Sequence, residues 1–272
     1  MKWRMADAQG TDGFEPVERI AGGADAGLLL LCDHASNALP AHYGRLGLAA
    51  ADLEAHIAYD IGAADLTRRL AAQLGAPALL TRFSRLLIDP NRGAHDPTLV
   101  MRLSDRRLIP GNARIDAAEI GRRRALYWQP YRAAIAETIA ALSAQGPVPA
   151  VISVHTFTPA WHGVARPWQI GILWDSDRRL PGPLIAALQA RGLAVGDNEP
   201  YDGALPGDTL HEQVTAKGLA GLLIEVRQDL VATPAKAHGW ADLLADVLKP
   251  ILARPELHEV AFCASRAGRL RG

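Results

Sequence analysis

Short unbroken apolar runs alternate along this chain with longer stretches of helical spacing. The run "LLLLC" at residues 28–32 is too short and too glycine-flanked for a helix, so it predicts a buried strand. It stops abruptly in Asp33-His34. The segment "AVISVHTFTP" does the same, with a predicted strand over residues 148–154 followed at once by His155. Further strands are predicted at 77–81, 85–88, 169–174 and 221–226 ("GLLIEV"), and a short strand or turn begins at Ala194. Helical spacing of Ile61, Ala64, Leu66, Leu70 and Leu74 predicts a helix over 60–74, stopped by Gly75-Ala76-Pro77. Residues 116–144 are also helical, with a bend where Pro130 removes an amide donor, and two more helices cover 183–191 and 234–252.

Strands separated by helices predict an α/β fold of three αβα layers around a mixed, largely parallel sheet. No repeat or long linker divides the chain, so one domain over residues 1–272 is expected, with 1–26 as a polar lead-in. The glycine-rich "GGADAG" at 22–27 lacks the framing strand and helix of a nucleotide loop and is expected to be flexible. Ligands of such sheets collect at the carboxyl ends of strands, where His34, His155 and Glu225 fall.

Composition narrows the partners. With 29 basic against 29 acidic residues, no global field favours nucleic acid or an anionic membrane, and the arginine clusters at 102–107 and 122–124 read as solvated faces. No apolar run approaches the roughly 20 residues that span a bilayer. Two distant cysteines imply no disulfide framework, and an N-terminus without an apolar core offers no secretory signal, so a cytoplasmic location is expected.

A lone histidine after a strand is usually structural, but two at equivalent strand ends suggest a shared metal site. Zinc takes neutral imidazoles, commonly with one carboxylate, and a catalytic site keeps one position open for water. The residue three after His34 is Asn37, a poor ligand, so the carboxylate could be Asp60, which could equally be a helix N-cap. His56 and Asp33 are weaker candidates. Glu225 ends an apolar run, where a charge costs several kcal/mol unless paired or coordinated; it reads as a proton-transfer group or as an ion pair with Arg227. In "TRFSRLLIDPNRGAHDP", Arg85, Asn91 and Arg92 form a candidate carboxylate dock, or else loop-stitching salt bridges. Asp89 could orient an arginine or a ligand histidine from behind. Cys32 lacks a partner histidine, Ser153 lacks a nucleophile elbow, and Trp161, Trp168 and Trp174 are expected to pack rather than to wall a pocket.

Taken in order, "CDHASNALP", "YDIGAADL", "SRLLIDPNR", "SVHTFTP" and "LLIEVRQDL" resemble the N-formylglutamate amidohydrolase family over about residues 28–230. The resemblance implies a zinc-dependent hydrolase of the phosphorylase/hydrolase-like architecture shared by zinc carboxypeptidases, aspartoacylase and cell-wall amidases. It implies His34, Asp60 and His155 as ligands of one Zn2+, Glu225 as the catalytic carboxylate and Arg85 at the oxyanion. Asn91, Arg92 and Arg227 would hold the carboxylates of a small acidic N-acyl amino acid, N-formyl-L-glutamate first, with Asp33 and Asp89 behind the ligands. The chain departs from related hydrolases in lacking a glutamate three residues after the first histidine. Its "DTLHEQV" segment also places His211 early and Gln213 where a histidine is expected. A peptidoglycan or peptide amidase, and a metal-binding or sensing module without turnover, are the alternatives.

Overall fold

The computed structural model describes residues 13–267, so the first twelve residues of the expected lead-in lie outside the described residues. The apolar runs form a seven-stranded sheet from β1 (Val17–Ile20), β2 (Leu28–Cys32), β3 (Ala78–Thr81), β4 (Ala150–Phe157), β5 (Ile170–Leu173), β6 (Val195–Asp197) and β7 (Gly221–Arg227). Their order is β1-β3-β2-β4-β7-β5-β6. The pairs β1/β3 and β7/β5 are antiparallel and the rest parallel, so the sheet is mixed and mostly parallel.

Alternation along each strand decides which layer it feeds. Leu28, Leu30, Ile152, Val154, Leu222 and Ile224 pack under α1 (Ala63–Leu74), α4 (Pro181–Ala190) and α5 (Pro234–Leu252). Leu29, Leu31, Val151 and Leu223 face α3 (Gln129–Gln145) through Tyr131, Ile135 and Ile139. On that second face the apolar series gives way toward the strand ends: β4 continues as Ser153 and His155, and β7 as Glu225. The polar cluster therefore lies at the carboxyl edge of the parallel strands.

Several expectations need correction. Residues 85–88 form a turn, not a strand: Leu87 N donates to Ser84 O at 3.0 Å, while Leu86 and Leu87 are buried in two different clusters. An apolar run driven by burial in several directions cannot be distinguished from a strand by composition alone. The lead-in contains β1, which pairs with β3, and "GGADAG" holds a 3-10 turn at Ala24–Ala26 rather than a loose segment. The 116–144 helix is interrupted: α2 (Ala117–Arg123) runs through a π-helical turn at Arg124–Trp128 into α3, just ahead of Pro130. Strand β4 extends to Phe157, so His155 stands inside a strand.

Helix α1 starts at Ala63, with Gly62 as its N-cap at φ 82°, so Asp60 is not the cap. A side chain at Gly62 would be strained at that φ and would place its Cβ 2.2 Å from Val231 O. The tight turn leaves the Asp60 carboxylate free to face the sheet edge. Among the described residues, no helix is long and apolar enough to cross a membrane.

Candidate metal centre and substrate cavity

Strand register brings the first groups together. In the parallel β4/β7 pair, His155 lies beside Glu225. His34 follows β2, and Asp60 N donates to His34 O at 3.0 Å, clipping the two loops together. His34 Nδ1 lies 3.4 Å from Asp60 Oδ2, and His155 Nδ1 lies 3.0 Å from the same oxygen. One ligand atom each from His34, Asp60 and His155 fits within a 4.8 Å cluster, and all three residues are buried. The rings meet edge to face with centroids 4.9 Å apart.

The far nitrogen of each imidazole is tied down. His34 Nε2 lies 2.7 Å from Asp89 Oδ1, and His155 Nε2 lies 3.0 Å from Asp33 Oδ2. Such carboxylate–histidine pairs set the tautomer and ring orientation of metal-binding histidines. Asp33 is in turn held by Ser153 Oγ at 2.7 Å and Thr209 Oγ1 at 3.1 Å. Ser153 thus supports His155, and its buried hydroxyl does not line the cavity. Burial pushes the Cys32 thiol well above its ordinary pKa, which removes it as a nucleophile.

Electrostatics favour a cation at this centre. Asp33, Asp60 and Asp89 are buried, and Arg85 is the cation beside two of them, with Nη1 3.6 Å from Asp60 Oδ1 and donating to Asp89 Oδ2 from Nε at 3.1 Å and Nη2 at 2.7 Å. Three carboxylates against one guanidinium leave two negative charges, which suits a divalent ion bound by two neutral imidazoles and Asp60. The same excess acts on His155: burial opposes its charging, but the hydrogen bonds of Asp33 and Asp60 outweigh that and raise its pKa well above the usual value. Asp60 is lowered despite its burial, through His34 and His155. For Asp89, Arg85 and then His34 overcome the cost of burial and hold it well below the carboxylate range.

Glu225 behaves differently. Burial is the largest influence on it and raises its pKa to about 7, and its buried Oε2 has no hydrogen-bond partner. It does not pair with Arg227. A carboxylate with an idle oxygen beside two imidazoles is arranged to exchange a proton.

The cluster opens into a cavity of about 410 Å³ that is also lined by Asn91, Arg92, Tyr201, Asp202 and Asp208. Asn91 Oδ1 accepts from Thr209 N at 3.0 Å. Arg92 comes no closer to Asp89 than 4.0 Å, and its buried Nε lacks a partner. Arg132 braces this wall by donating from Nη2 to the carbonyls of Pro90 (3.3 Å), Arg92 (3.1 Å) and Gly207 (2.9 Å).

The sequence matches the N-formylglutamate amidohydrolase family over residues 26–232. The chain belongs to that family. The gene product Atu2144 of Agrobacterium tumefaciens is 35% identical with a TM-score of 0.83, over 88% of this chain and 96% of that one. An N-formylglutamate amidohydrolase from Ralstonia eutropha JMP134 is 20% identical with a TM-score of 0.63, over 89% and 98% respectively, and shares the fold. The comparison with curated proteins found no match.

Within this family frame, His34, Asp60, His155, Glu225, Arg85, Asn91 and Arg92 all line one cavity, with Asp33 and Asp89 behind the histidines. Arg227 is not brought there, which corrects its expected contact with substrate. Its Nε donates to Asp229 at 2.8 Å and its Nη1 to the carbonyl of Arg166 at 3.2 Å, because it sits at the last residue of β7, past the cavity wall. Asn37 instead donates to Leu53 O, and His56 faces Asp105. His211 Nδ1 accepts from Gly207 N at 3.2 Å and so shapes a loop. Sequence reading missed Tyr201, Asp202 and Arg132, which lie outside the quoted motifs, and did not single out Asp208, which opens the "DTLHEQV" segment.

Proposed function

We propose that this protein is a metal-dependent amidohydrolase that removes the acyl group of an N-acyl amino acid, with N-formyl-L-glutamate as the reference substrate. The carrying observation is the convergence of two Nδ1 atoms and a carboxylate within 4.8 Å, next to a buried glutamate with a free oxygen. His34, Asp60 and His155 would hold the ion, and zinc fits this nitrogen-and-carboxylate donor set. When bound, such an ion acidifies water toward a pKa of about 7 and polarises an acyl oxygen.

The chain's own groups account for the remaining steps. Glu225 accepts a proton from the attacking water as it adds to the acyl carbon, and delivers that proton to the departing nitrogen as the C–N bond breaks. Formate and the free amine are the products. Arg85, held by Asp89, lies with Nη1 3.6 Å from Asp60 Oδ1 and offers positive charge where the acyl oxygen becomes anionic. Arg92 and the Asn91 side-chain amide hold the substrate carboxylate, a pairing suited to the planar fork of arginine. Apolar Leu173 and Leu223 limit water around the reacting bond.

The test combines elemental analysis of purified protein with a formate-release assay on acidic and neutral N-formyl amino acids, before and after chelation. The expected result is about one divalent ion per chain and turnover that is lost on chelation and restored by zinc. Turnover by protein free of metal would overturn the reading.

A further inference from the structure

N-formyl-L-glutamate carries two carboxylates, and the residues assigned above hold one of them. The place of the second is an inference that rests on the hydrolytic reading. Asn91 N donates to Asp89 Oδ1 at 2.9 Å, and Asp89 holds His34, so Asn91 and Arg92 line the cavity close to the candidate metal ligands. They suit the α-carboxylate, one carbon from the amide nitrogen. The side-chain carboxylate lies two methylenes further out and needs a partner of its own.

Most arginines around the cavity are spent. Arg85 serves Asp89 and Asp60, and Arg132 serves Glu212 and three carbonyls. Arg227 is taken by Asp229, and Arg266 by Asp202. Arg166 is different. Its Nη1 donates to the hydroxyl of Thr158 at 3.0 Å and to the carbonyl at 3.3 Å, and it enters no ion pair among the described residues. Its guanidinium carbon lies 5.0 Å from the centroid of the Tyr201 ring, 5.5 Å from Trp161 and 5.6 Å from Phe157. Three aromatic rings thus hold a half-buried cation that no acid neutralises.

Tyr201 lines the cavity and is 45% exposed, so its ring stands at the mouth. The loop that carries it is seated closely on the sheet. A Cβ on Gly171 of β5 or on Gly196 of β6 would lie 2.2 or 2.4 Å from Glu199 O. Asn198, at φ 54°, accepts through Oδ1 from Trp174 N at 2.8 Å and from Gly203 N at 3.1 Å. A loop fixed on both sides of Tyr201 presents the phenol in one place. Burial, then the charge of Glu225 and that of Asp60, raises the phenol pKa while Arg166 opposes the rise, so the hydroxyl keeps its proton and stays a donor at neutral pH.

We infer that Tyr201 is a specificity-determining residue whose hydroxyl donates to the side-chain carboxylate of the substrate, and that Arg166 is a positioning residue that packs on the Tyr201 ring and adds positive charge to this subsite. The α-carboxylate stays with Arg92 and Asn91. A neutral side chain of the same shape forgoes the charge-assisted contact.

The test compares metal-loaded wild type, Tyr201→Phe, Arg166→Gln and Arg166→Lys on N-formyl-L-glutamate and N-formyl-L-glutamine, which share a shape and differ in this charge. Wild type should prefer the glutamate compound by about tenfold or more in kcat/KM, through KM. Tyr201→Phe, which keeps the ring, and Arg166→Gln should each raise KM for the glutamate compound by about tenfold. Both should leave the glutamine compound within about threefold, with kcat little changed. Arg166→Lys keeps the charge and should fall between Arg166→Gln and wild type. Added salt should weaken the glutamate preference of wild type more than that of Arg166→Gln.

Calorimetry of both compounds on metal-loaded Glu225→Gln, with and without Tyr201→Phe, reads the same preference without turnover. If wild type cleaves neither compound, the hydrolytic reading fails, and the ratio of dissociation constants still decides the subsite. Binding of neither compound, equal binding of the two, or a preference that neither Tyr201→Phe nor Arg166→Gln moves overturns the inference.

Discussion

The half of the cavity that would hold the metal is built on two strands, which carry His155 and Glu225, and on two loops clipped together at the sheet edge, whereas the half that would hold the substrate rests on loops alone. His155 and Glu225 are neighbours in the β4/β7 ladder, so sheet register sets their spacing, and His34, just past β2, is held to the Asp60 loop by its carbonyl. Outer carboxylates then lock both rings. Asn91, Arg92 and the 201–208 segment have no ladder behind them. They are held by single side chains that reach several carbonyls or acids: Arg132 across Pro90, Arg92 and Gly207, Trp128 Nε1 onto Arg92 O at 3.0 Å, and Arg266 onto Asp202. Rigid elements hold a reacting constellation more accurately than loops do. The contrast implies that damage to the first half appears in kcat or metal content, and damage to the second in KM.

The strongest challenge to that division is Glu225→Gln. Loss of the proton carrier should lower kcat by about 10³-fold or more with the metal retained; activity within a few-fold of wild type would place the base elsewhere. The same substitution has a second effect in metal-free protein. Glu225 keeps its proton up to about 7 when folded, against 4.5 for the ordinary side chain. Its contribution to stability is therefore complete below pH 4.5 and is lost as pH rises through 7. Metal-free Glu225→Gln should exceed wild type above pH 7 by at most about 3 kcal/mol and show no such gain at pH 4, as read by denaturant titration.

On the loop side, Arg92→Ala should raise KM by roughly 10- to 100-fold while kcat stays within a few-fold. A matching collapse of kcat would show that the halves are not separable. Asp33→Asn tests the support of the strand half: weaker orientation of His155 should cost about 10-fold or more in metal affinity, measured by competition with a chelator. Arg266→Ala is the mildest. It frees Asp202 from a partly exposed ion pair, so KM should change by no more than about fivefold.

The legible part of the molecule was local. Unbroken apolar runs announced β2, β4 and β7, and the polar residues that interrupt or end them announced His34, His155 and Glu225, because a polar group at a buried strand end is costly unless it is paired or coordinated. The residues offered Asp60, Asn91 and Arg92 with alternatives, and the resemblance favoured them. Local pattern failed where the burial that fixes a residue comes from distant chain. Residues 85–88 read as a strand but turn between two clusters, β1 was hidden in a polar lead-in until β3 supplied its partner, and Arg227, at the end of β7, pairs with Asp229 outside the cavity.

The sequence by itself determined the central strands, most of the helices between them and the chemical types at the strand ends, since periodicity and residue chemistry are properties of neighbouring positions. Only the tertiary structure decided that Asp60 turns away from its helix to meet both imidazoles, that Asp33 joins Ser153 and Thr209, and that Asp208 lines the cavity. Those contacts link segments up to 176 residues apart, and a side chain's direction there is set by packing on the far segment.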